Sequence, residues 1–117
     1  MGLRGVGIDA LEVERFARSL KRWGVRLTSR VFTDGELRYC MDKKNPATHL
    51  AARFAAKVSF FKALGRSLPY KNVEVGRDKS GRPFIKAAGI DSDNIKRIDS
   101  SITHDAGLAI AHTIIED

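Results

Sequence analysis

The chain has 117 residues, which fits one domain spanning residues 1–117. Its net charge of +7 and its pI of about 9.9 predict an acidic partner, without choosing among nucleic acid, an anionic membrane, a phosphorylated molecule and an acidic protein. The single cysteine, Cys40, excludes an internal disulfide framework. Because the chain starts without a signal-peptide run and shows no membrane-spanning stretch, we predict a cytoplasmic protein.

The chain begins with a predicted strand and helix. Residues 3–9 (LRGVGID) favour a strand that ends in a carboxylate. Asp9 stands where a helix can begin, and Glu12 completes a capping-box pattern three residues later. Asp9 is therefore either a helix N-cap, the commoner explanation, or a metal ligand or catalytic acid at a strand end. The helix that follows ends at Gly24.

Two further helices are predicted from their capping residues. Thr33 with Glu36 is a second capping box, for a helix that runs to about residue 43. Asn45 and Pro46 begin a long helix of residues 46–65 that Gly65 terminates.

The long helix combines apolar residues with cations. An i, i+4 line contains Leu50, Phe54, Val58 and Lys62. Arg53 and Lys57 lie on the neighbouring line. This pattern suits a polyphosphate bound on a partly apolar wall, but composition alone favours a solvated basic face on which lysine stems cover apolar surface.

The second half of the chain reads mainly as strands. Residues 72–78 and 82–87 flank a DKSG turn, and two more strands meet at Asp105–Gly107. We therefore predict an α+β fold, with an antiparallel sheet packed against one long helix and shorter helices. His104, at a strand end, either donates to a phosphate or is an ordinary half-buried histidine, the commoner case.

Five segments together resemble one family, the holo-acyl-carrier-protein synthases, which are small phosphopantetheinyl transferases. The segments are GVGIDALEVERF (5–16), RVFTDGELRYC (30–40), LAARFAAKVSFFKALG (50–65), SGRPFI (80–85) and SSITHDAGLAIA (100–111). The resemblance covers nearly the whole chain. It implies Mg²⁺-dependent transfer of the 4′-phosphopantetheine arm of coenzyme A to a serine of an acidic apo acyl carrier protein, with release of adenosine 3′,5′-bisphosphate. It also implies a homotrimer with active sites between subunits.

The resemblance also assigns roles to individual residues. Asp9 aligns with a Mg²⁺ ligand, Lys62 with the lysine that contacts the pyrophosphate, and His104 with a histidine near the coenzyme A phosphates; these are the expected catalytic residues. The residues expected to bind coenzyme A are Arg53, Lys57, Lys62, Gly81, Pro83, Thr103 and His104. The residues expected to face the carrier protein are Arg15, Arg18, Arg22 and Arg26.

One position departs from the family pattern. Where the family motif reads FAAKEAF, with a glutamate as second Mg²⁺ ligand, this chain has Val58, whose side chain cannot ligate a metal. Three interpretations follow. The first is an active enzyme that holds Mg²⁺ through Asp9, the coenzyme A phosphates and water, with or without another acid, for which Glu12 and Asp105 are the nearest candidates. The second is a protein that binds coenzyme A or the carrier with little catalysis, and the third is an engineered or accidental substitution in an active parent. A basic nucleic-acid-binding module is a less favoured alternative, because no nucleic-acid motif is present.

Overall fold

The structure, a computed structural model, describes residues 2–117. Its elements in chain order are β1 (Leu3–Glu12), α1 (Val13–Trp23), α2 (Val25–Val31), α3 (Asp34–Met41), α4 (Pro46–Leu64), β2 (Val73–Arg77), β3 (Pro83–Ala87), β4 (Arg97–Asp105) and β5 (Leu108–Glu116). The strands form an antiparallel sheet in the order β1–β5–β4 and an antiparallel β2–β3 hairpin. The predicted α+β fold is confirmed.

Two glycines let β1 lie directly on α4. A Cβ added to Gly5 would overlap the Ala63 carbonyl, and one added to Gly7 would overlap the Ser59 carbonyl. Because strand side chains alternate, the next residue on this inner face is Asp9, which is carried to the same helix. The glycine spacing thus places a carboxylate beside the second half of α4.

Helix α4 is the centre of the core. Ala55, Ala56 and Phe60 on this helix are fully buried and share an apolar cluster with Ala111 and Ile115 of β5. Small side chains on the helix allow the sheet to approach closely, and a second cluster fills the space towards α1, α2 and α3.

Several predicted helix ends are confirmed. Thr33 and Glu36 form both hydrogen bonds of a capping box at the start of α3. Pro46 stands in the first turn of α4, and Gly65 ends that helix with a left-handed backbone, at φ 85°. Local side-chain chemistry sets each of these ends.

The prediction that Asp9 caps a helix is wrong. Strand β1 continues to Glu12, which pairs with Leu108 of β5, and α1 begins at Val13. The Val13 amide donates to the carbonyl of Gly107 at 2.9 Å. The ladder with β5 therefore extends the strand past the local capping signal. Helix α2, which follows a break at Gly24, was not predicted from the sequence.

Candidate functional site

Asp9 and Lys62 meet at the junction of β1 and α4. The Lys62 Nζ donates to the Ile8 carbonyl at 2.9 Å and lies 3.6 Å from Asp9 Oδ1. The Asp9 side chain is 19% exposed, whereas the Lys62 side chain is 54% exposed. The ammonium is thus held at its base by the strand and still faces solvent, where it can contact a ligand phosphate.

Val58 lies one helical turn before Lys62 and is half-buried. It helps to line a concavity of about 400 Å³ together with Phe61, Lys62, Arg66 and Tyr70. Two cations and an apolar wall therefore share one surface. The apolar part of that wall occupies the position where the family pattern has a carboxylate.

The two acids considered as replacements lie elsewhere. Glu12 is three residues from Asp9 on β1, so its exposed side chain lies on the opposite face of the sheet. Asp9 pairs with Ala111, which pairs with Ile102, whereas Asp105 lies three residues further along β4 and on the other face. Among residues 2–117, no three His, Cys, Asp or Glu side chains are grouped to hold a metal ion.

Arg53 is a buried guanidinium with spare hydrogen-bonding capacity. The residue is 3% exposed, and its Nη1 donates to the His49 carbonyl at 3.3 Å. Its Nε makes no hydrogen bond within residues 2–117. The Arg53 Cζ lies 4.5 Å from the Tyr39 ring centroid, and the Lys43 Nζ lies 4.3 Å from the same centroid. A bound anion could accept a hydrogen bond from the Arg53 Nε and would also be attracted by the charge of Lys43.

The pKa of His49 is lowered by its surroundings. Burial lowers the pKa of His49, and the positive charges of Arg53, Lys43, His104 and Arg77 lower it further. His104 is exposed on β4, opposite Ala109. Arg53 and His104, which are 51 positions apart in sequence (104 minus 53), therefore both act on the pKa of His49.

Lys57 does not face a ligand, which contradicts its predicted role at coenzyme A. Its side chain is fully buried. Its Nζ donates to Val31 O at 2.6 Å, Glu36 Oε1 at 2.7 Å and Tyr70 O at 3.1 Å. An ammonium has three protons to donate, so these partners leave none for a phosphate.

Gly81 and Pro83 lie where the β2–β3 hairpin approaches β4. Gly81 has φ 85°, and both residues line a concavity of about 590 Å³ that also includes Ser100 and Ser101 of β4. Thr103 is exposed, but it alternates with His104 on β4, so a single chain presents these two side chains to opposite faces.

Exposed arginines cover α1 and α2. Arg22 stacks over the ring of the exposed Trp23, with 5.0 Å from its Cζ to the ring centroid. A groove of about 890 Å³ runs past Trp23, Arg26 and Arg30 to Tyr70. The exposed arginines predicted from the sequence for this surface are Arg15, Arg18, Arg22 and Arg26. Arg30 and the groove were not predicted, because α2 was not predicted.

The family of this chain follows from its similarity to known proteins. The profile of the 4′-phosphopantetheinyl transferase superfamily matches residues 5–113. The chain belongs to this superfamily. A holo-[acyl-carrier-protein] synthase of Halothermothrix orenii is 38% identical, with 98% of both chains covered, and one of Trichlorobacter lovleyi is 39% identical, with 96% of both covered.

Solved structures agree with this assignment. A holo-[acyl-carrier-protein] synthase of Neisseria meningitidis superposes with a TM-score of 0.92 at 26% identity, covering 99% of this chain and 100% of that one. The Helicobacter pylori enzyme, solved in complex with coenzyme A, has a TM-score of 0.86 at 27% identity, covering 95% and 99%. The transferase fold is therefore the fold of this chain.

Proposed function

We propose that this transferase moves the 4′-phosphopantetheine arm of coenzyme A to a serine of an apo acyl carrier protein. The observation that carries the proposal is the Asp9–Lys62 pair at a 3.6 Å separation, beside a solvent-facing concavity, in a chain of this superfamily. The serine oxygen forms a bond to the pantetheine-side phosphorus while the bond from that phosphorus to adenosine 3′,5′-bisphosphate breaks. The serine hydroxyl proton is released.

The cations of the site supply charge neutralisation and positioning. Phosphoryl transfer depends mainly on these two effects, because charge spreads over the phosphate oxygens in the transition state. We propose that Lys62, whose side chain faces solvent, contacts the pyrophosphate. We propose that Arg53 and His104, which both lower the pKa of His49, contact a further phosphate group of coenzyme A. We also propose that Gly81 and Pro83 line part of the coenzyme A site.

The residues fit magnesium only in part. Asp9 offers one carboxylate, and Val58 contributes no donor. Magnesium is commonly held by one or two carboxylates with substrate phosphates and water. We propose that Mg²⁺ is held here by Asp9 together with coenzyme A phosphates, and that when bound it neutralises phosphate charge. This proposal corresponds to the first interpretation of Val58, with no part for Glu12 or Asp105.

An open apolar sheet face supports the homotrimer. Val6 is 53% exposed and Ile8 is 60% exposed on the face of β1 that points away from α4. Residues of this size are usually covered when they form a contiguous patch. We propose that copies of the chain pack through this face. Assembly would also explain how Thr103 and His104, on opposite faces of β4, could both serve sites between subunits.

The arginine surface on α1 and α2 supports an acidic carrier protein as partner. Arg18 has one acidic neighbour within reach among the described residues, Glu14 at 3.6 Å, so this surface keeps a positive excess. Within residues 2–117, no helix is both long and apolar enough to cross a membrane. A cytoplasmic location remains our proposal.

Mass spectrometry of the carrier tests the proposed reaction. The protein is incubated with coenzyme A, Mg²⁺ and a purified apo acyl carrier protein. We expect the carrier mass to rise by one phosphopantetheine arm. Bound coenzyme A without any mass increase would instead favour the interpretation that Val58 leaves a binding protein with little catalysis.

A further inference from the structure

Lys57 and Glu36 form a buried ion pair in the interior of the fold. Both side chains are fully shielded from solvent, with Nζ 2.7 Å from Oε1. A buried ion pair is weak evidence for stability, because desolvation offsets the attraction between the charges. Its presence next to Val58, in the middle of α4, therefore calls for another explanation.

The partners of the pair come from four separate parts of the chain. Lys57 also donates to the carbonyl of Val31 at the end of α2, and to the carbonyl of Tyr70. Glu36 accepts from the Thr33 amide at 2.9 Å and from the Val75 amide of β2 at 2.7 Å. Lys57, Glu36 and their hydrogen bonds, here called the buried node, thus join α2, α3, the segment after α4 and β2 to the long helix.

Tyr70 connects this node to the proposed active site. Its ring stacks on Phe54 with 5.6 Å between centroids and meets Phe61 edge-on at 5.5 Å. It lines the concavity of Val58 and Lys62, and it also lines the groove of the arginine surface. The Tyr70 backbone is fixed by Lys57, so the node sets the position of a wall shared by both surfaces.

We propose that Lys57, with Glu36, is a positioning residue that holds Tyr70 beside Lys62 and between the coenzyme A site and the carrier surface. The inference rests on the proposed transfer reaction. Lys57 touches no substrate and acts through the carbonyl of Tyr70. Loss of the node should lower kcat while leaving the affinity for coenzyme A unchanged, because Lys57 has no free donor for a phosphate.

A double variant, Lys57→Met with Glu36→Gln, tests this role. Removing both charges avoids stranding one buried ion, which would destabilise the fold. We expect kcat to fall about tenfold, with the coenzyme A dissociation constant changed less than twofold. Lys96→Met, which removes an exposed lysine, is the matched control and should match the wild type.

Tyr70→Ala decides whether the node acts through Tyr70. Alone it should lower kcat to a similar extent, and added to the double variant it should cost little more. If the triple variant instead lost the product of the two separate kcat reductions, the proposal would be overturned, because independent effects add in free energy.

A readout that needs no turnover separates this inference from the proposed reaction. The chain has two tyrosines, Tyr39 and Tyr70, so fluorotyrosine labelling gives two ¹⁹F resonances, assigned with Tyr70→Phe. We expect the Tyr70 resonance to move and broaden in the Lys57→Met/Glu36→Gln variant. An unchanged Tyr70 resonance would refute the positioning role. If the wild type transfers no arm while the resonance responds, the proposed reaction fails and the positioning of Tyr70 stands.

Discussion

The Nζ of Lys62 lies 3.6 Å from Asp9 Oδ1, although the two residues are 53 positions apart (62 minus 9). The contact depends on Gly5 and Gly7, whose missing side chains let β1 lie against the backbone of α4. Lys62 is then anchored on the Ile8 carbonyl and presents its charge to solvent. A cation held in this way can meet a phosphate without a large reorganisation of the site.

Replacing Lys62 by Met should slow transfer strongly and leave the fold intact. Removing one preorganised charge that stabilises a transition state typically costs about 10²–10³ in kcat. The side chain is half-exposed, so we expect little change in thermal unfolding. Transfer kinetics followed by carrier mass and a circular dichroism melt provide the two readouts. A kcat within threefold of the wild type would remove Lys62 from the proposed mechanism.

Val58→Glu should create a tighter divalent-ion site. The new carboxylate would join Asp9 on the same surface, where Val58 now offers no donor, and Mg²⁺ and Mn²⁺ favour oxygen ligands. We expect Mn²⁺ affinity, measured by electron paramagnetic resonance in the presence of coenzyme A, to rise about tenfold or more. Val58→Gln, with the same shape and no charge, is the control. Equal affinities for wild type, Gln and Glu variants would show that position 58 does not limit metal binding.

Gly7→Ala should severely destabilise the fold. The added Cβ would overlap the Ser59 carbonyl and approach the Ala63 amide nitrogen to 2.7 Å, and both are backbone atoms that cannot move aside cheaply. Overpacking of this kind costs about 1–3 kcal/mol or more. Urea unfolding measures the loss. Gly2→Ala is the matched control, because a Cβ there would meet no described atom within 4 Å. Equal stability of the two variants would contradict the close approach of β1 to α4.

Ala106→Asn should stabilise the β4–β5 turn. Ala106 has φ 51° and Gly107 has φ 78°, a left-handed pair that Asn–Gly adopts more readily than Ala–Gly. We expect up to about 1 kcal/mol of added stability in urea unfolding. The change should leave transfer kinetics unaltered. A loss of stability would show that the turn does not hold this backbone conformation.

Asp93 should make stability depend on acid pH. Hydrogen bonds from Arg66 at 2.7 Å and from Arg4 at 3.0 Å lower the pKa of Asp93 below its usual value. A lowered pKa in the folded state contributes stability above the unfolded-state pKa of about 3.9, and that contribution is lost as pH falls through the folded-state pKa. Asp93→Asn should therefore flatten the stability profile below about pH 4. Asp91→Asn, at an exposed neighbour, should leave it unchanged; identical profiles for all three proteins would exclude this role.

Local signals in the sequence predicted much of the fold. The ends of α4 follow from Pro46 and Gly65, and the start of α3 follows from the Thr33–Glu36 box. These features depend on residues close together in the chain. The same locality explains the error at Asp9, where pairing of β1 with the distant β5 overrides a capping pattern.

The candidate site was predictable only in part. Motif similarity drew attention to Asp9 and Lys62, and the structure brings them together. It could not reveal that Lys57 is buried, because its partner Glu36 is 21 residues away on another helix. Nor could helix periodicity distinguish Lys57, which points inward, from Lys62, which points outward.

The products of a single turnover test the account most directly. Enzyme in excess is mixed with coenzyme A, Mg²⁺ and a limiting amount of apo acyl carrier protein, and both products are measured. We predict that each carrier gains one phosphopantetheine arm and that an equal amount of adenosine 3′,5′-bisphosphate appears. An unmodified carrier, with no adenosine 3′,5′-bisphosphate formed although coenzyme A is bound, would contradict the assignment of this chain as an active transferase.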